Sequence, residues 1–128
     1  MAKATQFCVG LDNKPGTMAK LCQALTRARV NIEAISVSDN AECNWVRLVA
    51  SPTPSARKAL SKGRFNFCTQ QVLRLKVANR PGQLEKIAAK LGKAGVNMNY
   101  LYGSNADGAT STLVISATDL GRAAKLLG

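Results

Sequence analysis

Two sets of asparagine and glycine residues are the groups in this sequence best suited to binding a small molecule. They stand 66 residues apart and consist of Asn13, Gly16 and Asn31, and of Asn79, Gly82 and Asn97. An asparagine amide both donates and accepts hydrogen bonds, so asparagines can hold the ammonium and the carboxylate of a zwitterion. A glycine in a turn lets a ligand approach the backbone closely.

Each glycine stands in a turn that leads into a predicted helix. In Asn13-Lys-Pro-Gly16 and Asn79-Arg-Pro-Gly82 the proline disfavours helix in the residue before it, and the glycine frees the backbone to turn. Apolar residues then recur with helical spacing, which predicts helices of about 13 residues. The free N–H groups and the positive dipole at a helix start attract a carboxylate. The candidate ligand-binding residues are therefore Asn13, Gly16, Thr17, Asn31, Asn79, Gly82, Gln83 and Asn97.

The same residues also have a purely structural interpretation. An asparagine before a Pro-Gly turn often bonds the backbone two residues further on. An asparagine where a helix leads into a strand is equally ordinary. The residue types alone leave both interpretations open.

The elements that position these residues form a repeated order. Alternating apolar residues predict strands at Thr5–Leu11 and Val72–Val77, and second strands follow at Asn31–Ser38 and Asn97–Ser104. Further elements are predicted as third strands (Cys43–Ala50, Thr110–Ala117), helices (Ser55–Lys62, Leu120–Leu127) and a fourth strand (Arg64–Thr69). Turns are predicted at 39–40 and 105–108. The order is βαββαβ, which predicts an α+β fold of two ferredoxin-like units with antiparallel sheets and helices on one face.

The second unit is predicted to lack its last strand, because the sequence stops after its second helix. We place the first unit at residues 1–69 and the second at residues 70–128. The missing strand would leave an open edge beside Val72–Val77, and such edges are usually covered. The first unit's last strand, the N-terminus or another chain are the candidates. A homodimer or a continuous intramolecular sheet is expected.

Composition narrows the function classes. The chain has 128 residues, with 18 Lys and Arg against 7 Asp and Glu, which favours anionic ligands and partners. It contains no histidine, and its four cysteines all precede residue 69. No metal site, cofactor or disulfide framework is expected, and the cysteines are predicted to be reduced and mostly buried. The absence of a signal peptide and of a long apolar run predicts a cytoplasmic protein without membrane contact.

The two turn-and-helix motifs resemble the ACT domain, a small amino-acid-sensing module. Asn13-Lys-Pro-Gly-Thr-Met with Arg29-Val-Asn-Ile matches the family pattern once, and Asn79-Arg-Pro-Gly-Gln-Leu with Gly95-Val-Asn-Met matches it again. The resemblance implies a regulator that binds amino acids at interfaces between paired units, near the first turn and the start of the second strand. Family members often have Asp where Asn13 and Asn79 stand, so a neutral amino acid is favoured here.

The resemblance predicts a non-catalytic sensor. The three alternatives are catalysis, nucleic-acid binding and docking on a metabolic enzyme. Catalysis is disfavoured because no histidine, paired carboxylate or phosphate-loop motif is present. Nucleic-acid binding suits the basic charge and the topology. However, Phe7 falls on the side of its strand that is predicted to be buried, and Trp45 is the only aromatic residue on the side of its strand that could be exposed. A regulatory subunit that docks on a metabolic enzyme is compatible with amino-acid sensing.

Overall fold

The computed structural model describes residues 2–40, 43–104 and 108–128. Within these ranges the chain forms six antiparallel strands and four helices, which confirms the predicted α+β class and the two ferredoxin-like units. The turn predicted at 39–40 is wrong, because both residues belong to a strand and pair with Asn44 and Cys43. Of the turn predicted at 105–108, only Gly108 lies within the described residues. The elements are β1 (Ala2–Asp12), α1 (Thr17–Arg27), β2 (Asn31–Asn40), β3 (Cys43–Ser51), α2 (Thr53–Lys62), β4 (Asn66–Ala78), α3 (Gln83–Lys93), β5 (Met98–Ser104), β6 (Thr110–Ala117) and α4 (Leu120–Leu127).

The first compact unit spans Thr5–Gln70 and has the strand order β2-β3-β1-β4. One face of this sheet is apolar because alternate residues of β1 and β3, such as Phe7 and Leu48, point to the same side. Helices α1 and α2 cover that face with residues such as Leu21 and Leu60, and all four side chains are fully buried. Hydrophobic burial on one face of the sheet therefore holds this unit together.

The second compact unit consists of Gln71–Gly128 together with the first residues of the chain, up to Ala4. Its own strands have the order β4-β6-β5. Leu73 and Ile115 are register partners on β4 and β6, and both are fully buried beneath Leu91 of α3 and Ala123 of α4. The same helix-on-sheet packing is thus built twice. The division into domains at residues 1–69 and 70–128 stays a prediction.

Strand β4 differs from the prediction. Arg64–Thr69 and Val72–Val77 were expected as two strands, but Asn66–Ala78 is one strand of 13 residues. The reason is that no Gly or Pro interrupts this stretch, so nothing forces the backbone to turn. The boundary between the compact units falls inside this strand, after Gln70.

The open edge predicted for the second unit is covered at its start by the N-terminus. Strand β1 is the neighbour of β4 in the sheet order, and its first residues, up to Ala4, belong to the second unit. The N-terminus was one of three covers that the sequence suggested.

Helices α1 and α3 end in the same hydrogen-bonded motif. The N–H of Val30 donates to the carbonyl of Leu25, and the N–H of Val96 to that of Leu91, both at 2.9 Å. This is the Schellman arrangement, in which the residue before the valine takes a left-handed conformation. Gly95 does so at φ 73°, whereas the first unit places Arg29 there at φ 57°. Both helices have 11 residues, two fewer than predicted.

Candidate functional site

The two Pro-Gly turns have the same geometry. Gly16 and Gly82 adopt φ 91° and 90°, a left-handed conformation that strains any residue with a Cβ atom. Each glycine is the N-cap of its helix, so Thr17 and Gln83 are the first helical residues. Apart from the glycine and its two chain neighbours, no heavy atom of the described residues lies within 4 Å of the position that a Cβ atom would take at either glycine. The backbone of both turns is therefore open to an approaching ligand.

Each helix start offers backbone donors to such a ligand. The first helical hydrogen bonds run from Lys20 N to Gly16 O and from Lys86 N to Gly82 O, both at 3.1 Å. The N–H groups before them have no acceptor inside the helix, although the Thr17 N–H donates to the carbonyl of Lys14 at 3.4 Å. No side chain of the described residues caps either helix by a hydrogen bond. Together with the positive end of the helix dipole, these N–H groups favour an anionic group such as a carboxylate.

The first helical residue differs between the two units. The Thr17 hydroxyl donates to the carbonyl of Asp12 at 2.8 Å, with the carbonyl of Lys14 at 3.1 Å as a second acceptor. Thr17 therefore closes its own turn. Gln83 is half-buried and instead lines a groove in the second unit.

This groove, which we call the α3 groove, has a volume of about 500 Å³. Its apolar floor includes Leu75 and Ile87, which are 4% and 8% exposed. Exposed lysines from β4 and α3 supply positive charge at its rim, and no acidic side chain in the described part of the chain lines it. Small-molecule sites typically have volumes of about 300–1,000 Å³, with mostly apolar walls and a few polar groups. The lining residues are Leu75, Lys76, Val77, Gln83, Lys86, Ile87, Ala89, Lys90 and Leu127.

The asparagines of the Pro-Gly turns have structural partners. Asn79 donates its backbone N–H to the carbonyl of Ala109 at 3.0 Å and its side-chain amide to the carbonyl of Gly108 at 3.1 Å. These bonds fix the turn to the residues before β6. In both of these bonds Asn79 is the donor. Asn13 is also engaged in a polar interaction.

The asparagines between helix and strand lie at the opposite end of each unit. Asn97 and Thr118 are joined by two hydrogen bonds. Thr118 N donates to Asn97 O at 3.0 Å, and Asn97 N donates to the side-chain hydroxyl oxygen of Thr118 at 3.2 Å. The Asn97 side-chain amide donates to Asn99 Oδ1 at 3.3 Å. Asn31 is exposed at the start of β2, opposite Ser51.

Within each unit, the strand pairing keeps the two candidate asparagines apart. Asn79 is bonded to Ala109, just before β6, and Asn97 to Thr118, just after it. Nine positions of extended chain correspond to roughly 30 Å at about 3.3 Å per residue. In the first unit, Asn13 and Asn31 likewise lie at the two ends of β3. The candidate residues therefore form separate groups, which we call the turn group and the junction group of each unit.

A family model described as the ACT domain pair matches residues 2–127. The chain belongs to the ACT domain pair family. The match spans nearly the whole chain, so the resemblance inferred from the two turn-and-helix motifs is confirmed.

Three solved structures illustrate how widely this fold is shared. Protein BT0572 from Bacteroides thetaiotaomicron has a TM-score of 0.92 and 26% identity, over 98% of this chain and 86% of that one. The ligand-free regulatory subunit of aspartate kinase from Thermus thermophilus has a TM-score of 0.68 and 15% identity, over 97% and 89%. The aspartokinase alpha and beta subunits give 0.67 and 17%, over 98% and 93%. No curated protein matches this sequence.

The three lysines of the α3 groove were not among the ligand-binding residues predicted from the sequence. Of the three, only Lys86 has an identical counterpart in the first ACT unit, Lys20; Lys76 and Lys90 align with Gly10 and Ala24. A comparison that looks for what two repeats share passes over such positions. The signal that could have found them is the opposite one, which is charge present in one repeat only.

Other site types find little support in the described ranges. No group of three or more His, Cys, Asp or Glu side chains there could hold a metal ion. No helix in the same ranges is long and apolar enough to cross a membrane. Phe7 is fully buried and its ring lies 6.0 Å from that of Phe67, so it cannot stack on a nucleic-acid base. Trp45 is 40% exposed.

Proposed function

We propose that this ACT pair is a non-catalytic regulatory protein that binds a neutral amino acid with an apolar side chain. The observation that carries the proposal is the α3 groove, with its apolar floor, its basic rim and its position at the start of a helix. A regulatory role is supported by the family, and by solved relatives that include a regulatory subunit of aspartate kinase.

The groove offers a distinct partner to each part of such a ligand. The carboxylate is bound by Lys86 and by the N–H groups at the start of α3, where positive charge and helix dipole act together. The aliphatic side chain packs on Leu75 and Ile87. An asparagine side-chain oxygen accepts from the ammonium group, which the lysines alone would repel.

The separation of the turn and junction groups implies that two ACT units complete one site. A single unit holds its two asparagines at opposite ends of a strand, so a ligand bound by both groups must lie between one unit and another. A second copy of the chain is the proposed source. Strand β2, an edge strand in the first unit, exposes Ile35 and Val37 by 41% and 49%, which suits association of copies. A ligand-dependent change in that association would alter how the protein interacts with a metabolic enzyme, which is the proposed partner.

The first test is binding of the twenty amino acids, with single-stranded oligonucleotides as a second ligand class. A ligand that binds only the folded protein raises the melting temperature, so thermal shift identifies it and calorimetry gives its Kd. We expect one or a few neutral amino acids to bind. Binding of oligonucleotides alone, with a strong salt dependence, would replace the proposal with nucleic-acid recognition.

Two variants then locate the site in the α3 groove. Lys86→Gln removes a charged partner of the carboxylate and should weaken binding about tenfold or more, since charge-assisted hydrogen bonds contribute about 1.5–3 kcal/mol. Gly82→Asp puts a negative charge beside the helix start and should weaken binding further. The matched control is Lys20→Gln, the equivalent change in the first unit, which should leave the Kd unchanged. An equal loss in the control, or unchanged binding by Gly82→Asp, would contradict the proposed position.

A further inference from the structure

Two cysteines of the first unit face each other on neighbouring strands. Cys8 lies on β1 and Cys68 on β4, and these strands are neighbours in the sheet order of the unit Thr5–Gln70. Both thiols are free, and Cys68 is exposed while Cys8 is half-buried. The expectation that the cysteines are mostly buried is therefore wrong for Cys68.

The pairing of Cys8 with Cys68 follows from a contact two residues away. A Cβ atom on Gly10 would lie 3.7 Å from the side-chain nitrogen of Asn66, so these residues face each other across β1 and β4. In an antiparallel pair, a step of two residues back along one strand matches a step of two forward along the other. Cys8 therefore faces Cys68 on the same side of the sheet. The influence of the Cys68 thiol on the pKa of Cys8 agrees with this register.

The backbone geometry suits a covalent link. Directly opposite residues in an antiparallel pair have Cα atoms about 4.5–5.5 Å apart. Disulfides span Cα distances of about 4.4–6.8 Å, so no strand movement is needed. Two free cysteines at such a position can therefore form a disulfide with each other.

The surroundings of Cys8 also bear on its reactivity. Burial raises the pKa of the Cys8 thiol, and a hydrogen bond from the Gln6 amide, at 3.4 Å to the sulfur, acts in the opposite direction. The Cys68 thiol raises the same pKa further, while Arg47, the register partner of Cys8 on β3, lowers it. A cation and an amide donor are thus in place to stabilise the thiolate when it forms.

We propose that Cys8 and Cys68 are a redox modification site, at which a low-molecular-weight disulfide such as oxidised glutathione converts the two thiols into one disulfide. The exposed Cys68 thiolate attacks a sulfur of the oxidant, forms a mixed disulfide and releases one glutathione thiolate. The Cys8 thiolate then attacks the Cys68 sulfur, which forms the Cys8–Cys68 bond and releases the second glutathione thiolate. The protons of both cysteines end on the two glutathione molecules, so the protein is oxidised by two electrons and the glutathione disulfide is reduced by two.

The test treats the reduced full-length chain with oxidised glutathione and follows it by intact mass, thiol titration and peptide mapping. The wild type should lose two thiols without retaining glutathione and should yield a linked pair of peptides containing Cys8 and Cys68. Cys8→Ser lacks the second nucleophile and should retain one glutathione on Cys68. Cys22→Ser is the control and should behave as the wild type.

The oxidised wild type should also melt at a higher temperature than the reduced form, because the link between residues 8 and 68 restricts the unfolded chain. Reductant should reverse the shift, and Cys68→Ser should show none. A stable glutathione adduct on the wild type, or a linked pair that includes Cys22 or Cys43 instead, would overturn the proposal. The outcome is independent of amino-acid binding, since no residue of the α3 groove takes part.

Discussion

At the scale of single residues, the two copies differ most clearly where their helices end. The Schellman motif needs a left-handed residue after α1 and after α3. The second unit provides a glycine there, and the first provides Arg29 at φ 57°. A residue with a Cβ atom costs about 1–2 kcal/mol in this conformation relative to glycine.

Arg29→Gly is therefore expected to stabilise the protein. The gain should be about 1 kcal/mol, because relief of the left-handed strain is partly offset by the greater freedom of glycine in the unfolded chain. Urea unfolding measures it. Gly95→Ala is the reciprocal control and should lower the free energy of unfolding by about 1 kcal/mol. A destabilised Arg29→Gly protein would mean that the arginine side chain contributes more than the backbone strain costs.

At the scale of elements, the sequence predicted the order of helices and strands better than the places where a strand ends. The limits of β6 and α4 were predicted to the residue, because turn residues precede Thr110 and Asp119 is a favourable N-cap residue. Strand β4 was divided wrongly, since a repeat boundary suggests a break that no glycine or proline imposes. The turn residues of the candidate site could be found because both copies keep them. Lys76 and Lys90 of the α3 groove and the pairing of Cys8 with Cys68 could not be found in this way, because they depend on strand neighbours and on differences between the copies.

Helix α4 offers a test of a single cap. It has eight residues, and the Asp119 carboxylate accepts from the Arg122 N–H at 3.1 Å. Asp119→Ala should lower the free energy of unfolding by about 1 kcal/mol, because it leaves a helix-start donor without its acceptor. Asp119→Asn keeps an acceptor at the N-cap and should be nearly neutral. Equal losses in both variants would show that the charge, not the cap, stabilises this helix.

At the scale of the whole molecule, the main question is how many copies form one binding site. Because the turn and junction groups of a unit lie at opposite ends of a strand, a complete site is proposed to use two copies. Asn31→Ala and Asn97→Ala, tested singly, should show which junction group contributes. If neither change weakens binding, the two-group site is wrong.

Mixing two variants with weakened binding then distinguishes a site shared between two copies of the chain from a site within one copy. Lys86→Gln protein is unfolded and refolded together with the junction variant that lost binding. In a symmetric dimer with shared sites, half of the dimers combine the two variants and each regains one intact site, so about a quarter of all sites should bind. Calorimetry gives the number of sites, and size-exclusion chromatography with light scattering gives the mass. No recovery would place each site within a single chain.

The continuous strand β4 has a practical consequence for dissecting this ACT pair. A cut at the repeat boundary, after residue 69 or 70, passes through the middle of a strand and separates the second unit from the N-terminal residues that belong to it. A fragment of residues 71–128 would present the backbone N–H and C=O groups of its first strand to other molecules, and exposed strand edges of this kind promote aggregation. Binding and redox behaviour are therefore properties to be measured on the intact pair, with point substitutions in place of isolated units.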